Sequence, residues 1–109
     1  MTELLSRISR ILPSYPFEAP QSTPVPYCVY VKNDTPVHTK DGICGYEGTL
    51  TISIYAATLS VVNDLASKIV DALDSQNIGG EEYYYDSSDA ESFSDIGLFS
   101  KNLTFNTLR

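Results

Sequence analysis

The sequence has 109 residues, with 14 acidic side chains against 7 basic ones and a formal net charge of −7 at pH 7. Hydrophobic residues make up 42% and charged residues 19%, which is typical of a folded domain rather than a disordered segment. The acidic balance argues against nucleic-acid binding through clustered Lys and Arg. No apolar run approaches the roughly 20 residues of a membrane helix, and the first residues show no signal peptide. We therefore expect a single domain, residues 1–109, that is not in a membrane and keeps its two cysteines reduced.

The N-terminal segment predicts a helix followed by an extended connector. From Thr2 to Leu12 the apolar residues recur with helical spacing, and Pro13 ends the helix because the residue before a proline avoids the α region. Residues 13–26 contain five prolines, which favour an extended, polyproline-like connector.

The next part of the chain predicts two strands. Tyr27–Lys32 is rich in β-forming residues. Residues 33–45 contain Asn-Asp, Pro and Asp-Gly, which predict a loop or a long hairpin connection. From Tyr46 to Ala57 apolar and polar residues alternate, as expected of a strand with one face on a core.

The C-terminal half predicts a helix and two further strands. At Thr58 the apolar period changes from 2 to 3.6, so a helix begins with Thr58 or Ser60 as its N-cap. A short strand at 81–85, a polar loop at 86–95 and a last strand at 96–107 follow. Lys101 interrupts the apolar face of the last strand, which suggests a bulge or an edge position there.

The order α-β-β-α-β-β predicts an α+β fold. Two hairpins flanking a central helix suggest a mostly antiparallel four-stranded sheet with the two helices packed on one face.

No motif in the sequence predicts catalysis. Cys28, His38 and Cys44 have a spacing that matches no zinc pattern. The sequence has one histidine, so a catalytic Cys–His pair would have to use His38. Gly42, Gly45 and Gly48 lie between two strands, whereas a phosphate-binding loop connects a strand to a helix. We therefore expect no enzyme, no cofactor and no metal site; the glycines are interpreted as turn and bulge residues.

Two features indicate surfaces for assembly. Between Asp74 and Ser100 there are seven acidic residues and no basic one. Three consecutive tyrosines must alternate between the two faces of a strand, so at least one ring should lie outside the core, where tyrosine is favoured in interfaces. The candidate interface or lumen residues are Tyr83, Tyr84, Tyr85, Asp86, Asp89, Glu91 and Asp95.

The order of these elements resembles the small tail-completion or tail-terminator proteins of long-tailed bacteriophages and prophages. The segment Val25-Pro26-Tyr27-Cys28-Val29-Tyr30 is similar to that family's P-Y-x-V-Y opening of its first strand. The block from Gly48 to Leu73 resembles the family's strand that ends in an aromatic residue and Ala and continues into a helix closing with V-x-x-A-L. Leu103-Thr104-Phe105 completes the likeness, while the acidic stretch and the three tyrosines depart from it.

The resemblance implies a structural protein of the virion tail, assembled in the bacterial host cytoplasm. Members of that family form hexameric rings that cap the finished tail tube and dock the head connector, with DNA passing through unbound. The expected partners are thus further copies of this chain, a tail-tube protein and a head-connector protein. The four acidic residues of the 86–95 segment would then face the lumen or the axial rim, or would belong to a solvated outer loop.

Two other interpretations remain open from the sequence. The chain could be an adaptor subunit of another ring or secretion machine that uses the same sheet. A small ligand-binding α+β domain or enzyme would need convergent polar groups in an apolar pocket, and the sequence shows no such set.

Overall fold

The structure is a computed structural model that describes residues 2–16, 25–40, 42–93 and 97–108. No helix in these ranges is long and apolar enough to cross a membrane. The elements in chain order are α1 (Thr2–Ser9), β1 (Ser14–Pro16), β2 (Tyr27–Thr39), β3 (Gly42–Ala56), α2 (Leu59–Leu73), β4 (Gln76–Ile78), β5 (Glu81–Phe93) and β6 (Leu98–Leu108).

The strands form one six-stranded sheet in the order β1-β2-β3-β6-β5-β4. The β1–β2 pair is parallel and the other four pairs are antiparallel, so the sheet is mixed. It curls into a half-barrel with two helices. The predicted fold, a four-stranded sheet with both helices on one face, is therefore wrong in strand number and in the shape of the sheet.

Two segments predicted as connections belong to long strands. β2 continues to Thr39 and pairs with β3 from Gly42 onward, so most of the 33–45 segment belongs to two long paired strands. β5 continues through the polar residues after Tyr85 to Phe93, which pairs with Leu98. The predicted 86–95 loop was thus wrong as far as residue 93, and residues 94–96 lie outside the described part of the chain. Asp and Ser are weak strand formers, and here pairing with a neighbouring strand outweighs local propensity.

The two additional strands are only three residues long, which is too short for a periodic signal. Ser14–Pro16, within the predicted connector, pairs in parallel with β2, while residues 17–24 of that connector lie outside the described residues. β4 pairs with the start of β5 across Gly79-Gly80, both of which have positive φ angles (61° and 84°). Positive φ at both turn positions is the type I′ geometry that closes a two-residue hairpin.

The core lies between the concave face of the sheet and the two helices. β2, β3, β5 and β6 contribute alternate side chains, and α1 and α2 contribute one stripe each. The Thr58 hydroxyl accepts a hydrogen bond from the Val61 N–H (3.3 Å), which confirms Thr58 as the N-cap of α2. Arg7 in α1 donates to the Ala72 carbonyl oxygen (3.3 Å) near the C-terminal end of α2, where a cation is favoured. The largest fully buried side chains include Tyr83, Phe105, Leu4, Ile8, Leu50, Ile52, Ile54, Ile69, Leu73 and Leu103.

Two irregularities interrupt the ladders, and neither is at Lys101. One lies between Val37 and His38 in β2, and the other lies between Tyr85 and Ser87, so that Asp86 is an extra residue in β5. Lys101 pairs regularly with Ile54 and, on the other side, with β5, which makes β6 an internal strand. The expectation of a bulge or edge at Lys101 is therefore wrong. The sequence did not indicate that β5 covers β6 here, because this part of β5 carries few apolar residues.

Candidate assembly surface

A charged network joins the two sides of the half-barrel. Lys32 Nζ in β2 lies 2.8 Å from Glu81 Oε2 in β5 and 2.6 Å from Asp34 Oδ1. The Tyr83 hydroxyl donates to the other Glu81 oxygen, Oε1, at 2.7 Å. The side chains of Lys32 and Glu81 are only 10% and 9% exposed, so this ion pair is largely shielded from water. Both Glu81 oxygens are occupied, which leaves this carboxylate a structural rather than a reactive group.

An open cleft of about 480 Å³ lies beside this network. Its walls come from β2 on one side and from the β4–β5 turn on the other, with Leu5 of α1 and Ile78 providing apolar surface. The charged groups nearest to it are those of Lys32, Asp34 and Glu81, which are already paired with one another. The cleft therefore marks the gap where the two edges of the curled sheet approach each other.

The three consecutive tyrosines have three different environments. Tyr83 is 1% exposed and belongs to the core, so it is not available to a partner. Tyr84 is 43% exposed and donates its hydroxyl to Glu82 Oε2 (2.8 Å). The pKa of the Tyr84 phenol is raised above its ordinary value, mainly by this hydrogen bond. Tyr85 is 37% exposed and packs on the Phe105 ring, with centroids 5.6 Å apart.

The acidic candidates follow the tyrosines along β5. Asp86 is the extra residue of the bulge, and both Asp86 and Asp89 are exposed. Glu91 lies in the same strand, opposite Ser100, and Asp95 lies outside the described residues. The structure therefore places the described acidic candidates along one strand rather than in a loop.

Within the described ranges, another strand covers the outer edge of β5 only at its beginning. β4 pairs with Glu81–Tyr83, and the next outward amide, that of Tyr85, donates to the Asp74 carboxylate (2.8 Å). From Ser87 to Phe93 the strand pairs with β6 alone among the described residues. Unpaired edges of this length present backbone donors and acceptors that can bind another strand.

The β2–β3 hairpin extends beyond the sheet at the opposite end. β6 pairs with β3 only from Glu47 onward, so residues 36–46, which we call the arm, have each other as strand partners. This extension contributes to the elongated shape of the described chain, 53 × 23 × 22 Å. The exposed side chains of His38 and Lys40 lie near the tip of the arm.

Sequence reasoning missed two of these features. The Lys32–Glu81 pair joins residues 49 positions apart, and no local pattern connects them. Leu108 is 49% exposed at the root of the arm, where it lines a groove of about 400 Å³ with Val37 and Tyr46. Its position as the last residue of an internal strand could be inferred only from the sheet order.

The three candidate metal ligands, Cys28, His38 and Cys44, do not form one cluster. Cys28 is fully buried near the start of β2, and His38 is near the end of the same strand, about 30 Å away at 3.3 Å per residue. Cys44 lies in the arm, next to Ile43, the residue that pairs with His38. Within the described residues, no group of three or more His, Cys, Asp and Glu side chains could hold a metal ion. Burial raises the pKa of the Cys28 thiol to about 12, so Cys28 is inert as a nucleophile at neutral pH.

Comparisons with known proteins give a likeness in structure but none in sequence family. No family model matches the sequence, and no curated protein matches it. Among solved structures, the fold is similar to a chain of the "Virion of native gene transfer agent (GTA) particle", with a TM-score of 0.73 and 16% sequence identity. The alignment covers 96% of this chain and 82% of that chain. At this identity the likeness concerns the fold, and this half-barrel with two helices therefore also occurs in a chain of that particle.

Proposed function

We propose that this protein is a structural component of a phage-like virion, which caps the completed tail tube and joins it to the head connector. The observation that carries this proposal is the likeness of nearly the whole chain to a chain of a gene transfer agent virion. The independent resemblance of its sequence elements to tail-terminator proteins supports the same role. The chain works as a homohexameric ring, with a tail-tube protein and a head-connector protein as its other partners.

The surface of the described residues is suited to assembly. Tyr84, Tyr85 and Leu108 expose large side chains, and exposed aromatic residues are favoured in interfaces. A long strand edge and a projecting hairpin offer backbone hydrogen-bonding groups. These features support a role in binding other protein subunits.

The acidic side chains give the proposed ring a channel that repels DNA. Asp86, Asp89, Glu91 and Asp95 face the lumen or the axial rim, where their charge keeps phosphate from binding. A duplex can then pass through the ring without being held. Of the tyrosine candidates, Tyr84 and Tyr85 take part in contacts between subunits, and Tyr83 supports them from the core.

The test is to delete the gene in the host that produces the particles and to image the products by electron microscopy. We expect tails of abnormal length and heads without tails, with both defects corrected by the wild-type gene. Mass spectrometry of purified particles should detect the chain in a small fixed number of copies. Normal particles from the deletion strain would contradict the proposal.

A further inference from the structure

We propose that the outer edge of β5, residues Ser87–Phe93, binds an extended segment of a different protein that carries Lys or Arg at alternate positions. The bound segment adds a strand to the sheet beyond the point where β4 ends. This inference goes beyond the proposed function, because it assigns a binding edge and the chemistry of its partner without depending on a ring. It starts from the backbone of β5 and from the charges beside the edge.

The backbone groups of β5 face β6 and the outer edge in alternation. Before the bulge, the Tyr83 carbonyl oxygen and the Tyr85 N–H make hydrogen bonds on the outer side, with the turn between α2 and β4 (2.7 and 2.8 Å). The extra residue, Asp86, shifts this alternation by one position, so Ser87 and Asp89 bond to β6. The residues whose N–H and C=O then face outward, with no strand partner there among the described residues, are Ser88, Ala90 and Ser92.

These outward groups are suited to a strand. They recur at every second residue, about 7 Å apart, and an extended backbone has its own donors and acceptors at the same spacing. A segment that adds to the edge can therefore pair with all of them. The main-chain groups of a helix have a different spacing and direction, so a helix cannot do so. The edge thus specifies a partner in extended conformation.

The charges beside the edge select a basic partner. Asp86 and Asp89 are exposed, and Asp89 lies opposite Asn102 on the face of the sheet away from the helices. In an added strand every second residue lies on that same face, so these residues are close to the Asp89 carboxylate. A second β5 would place carboxylates there, which is destabilising, whereas Lys or Arg forms a cross-strand pair of opposite charge.

The partner is a different protein rather than a second copy of this chain. No two of the seven basic residues are two positions apart in the sequence. They are Arg7, Arg10, Lys32, Lys40, Lys68, Lys101 and Arg109. The net charge of −7 also opposes the approach of a second copy to an acidic edge. No segment of the chain therefore offers the alternating positive charges that this edge selects.

A short synthetic peptide of alternating Lys and Thr tests the edge, by fluorescence anisotropy of the labelled peptide with the purified full-length chain. It should bind about tenfold or more tightly than the same peptide with Glu in place of Lys. Asp86→Asn with Asp89→Asn should weaken its binding about fivefold or more. The matched control, Asp64→Asn with Asp71→Asn, removes the same charge from α2 and should leave binding unchanged. Equal weakening by the control, or no binding of the Lys peptide, would overturn the proposal.

Amide hydrogen exchange distinguishes an added strand from attraction between side chains alone. On peptide binding, the amides of Ser88, Ala90 and Ser92 should exchange about tenfold more slowly. The amides of Ser87 and Asp89 already face β6 and should change little. Bound peptide with unchanged exchange at the three outward amides would overturn the proposal.

Ala90→Pro tests the outward backbone directly, because it removes one of the N–H groups. Proline is tolerated in a strand where the missing N–H would face away from the neighbouring strand, so the melting temperature should stay close to that of the wild type. Peptide binding should weaken about tenfold. Binding of wild-type strength by the folded variant would count against the proposal. None of these results would affect the detection of the chain in particles, which tests the proposed function separately.

Discussion

Lys32 and Glu81, on strands that lie near opposite edges of the sheet, form an ion pair of 2.8 Å that joins the two sides of the half-barrel. Lys32 also contacts Asp34, and Glu81 also accepts from Tyr83, so each charge retains a second partner. Removing one member of a buried pair leaves the other charge poorly compensated, whereas replacing both by apolar residues can be nearly neutral.

We predict unequal effects for the two members of this pair. Lys32→Met should lower the free energy of unfolding by about 3 kcal/mol, because the charges of Glu81 and Asp34 both lose their cation. Glu81→Gln should cost about 1–2 kcal/mol, since Lys32 keeps Asp34. The double variant should cost less than the sum of the two, as measured by urea denaturation. Strict additivity would show that the pair contributes nothing to holding the two edges together.

Gly48 in β3 lies against the backbone of β2, opposite Asp34. A Cβ atom there would overlap the carbonyl oxygen of Asn33 and contact the Asp34 carboxylate. We predict that Gly48→Ala lowers the free energy of unfolding by about 2–3 kcal/mol, because a backbone atom cannot move aside without displacing the strand. Gly80→Ala is the control: its Cβ would meet nothing within 4 Å, so its cost of about 1 kcal/mol comes from its positive φ alone. Thermal unfolding of both variants gives the comparison, and equal costs would contradict the steric argument.

The Cys28 thiol makes stability depend on alkaline pH. Burial raises its pKa from 9.0 to about 12, so the folded state holds a proton that the unfolded state releases above pH 9. This contribution is complete below pH 9 and is lost as the pH rises toward 12, by at most about 1.4 kcal/mol per pH unit. Cys28→Ala should lose less stability over this range than the wild type, in denaturation curves taken at each pH. Parallel pH profiles would show that the thiol ionises in the folded state.

The four acidic candidates should affect DNA passage rather than folding. Changing Asp86, Asp89, Glu91 and Asp95 to Asn or Gln should leave the melting temperature nearly unchanged, because exposed like charges contribute little to stability. Particles that carry this variant should assemble but release DNA abnormally. The paired control, Asp64→Asn with Asp71→Asn, removes two exposed charges from α2 and should behave as the wild type. Normal DNA release from the fourfold variant would contradict the lumen placement.

The sequence predicted elements well where periodicity was strong. The α2 helix and its Thr58 cap follow from apolar spacing and a local hydrogen bond, and the strand ending at Ala56 follows from alternation. The strand after Tyr85 could not be predicted, because its residues favour loops and its structure depends on pairing with β6. The same holds for the assembly surface: exposed tyrosines were expected, but the arm and the β5 edge, which no described strand covers after Tyr83, depend on the order of strands in the sheet.

The bulge at Asp86 determines which face of the sheet each later side chain of β5 occupies. Tyr85 pairs with Phe105 on the concave face, and because Asp86 is looped into the bulge, Ser87 pairs with Thr104 on the convex face. Asp89 therefore lies opposite Asn102 and points away from the helices. If Asp86 were instead paired with Thr104 in a regular ladder, residue 89 would lie opposite Lys101, with its carboxylate turned toward the side that holds α2. The bulge thus moves the later residues of β5 by one pairing position, and it allows a strand that begins in the core to continue with Asp89 on the outer face of the sheet.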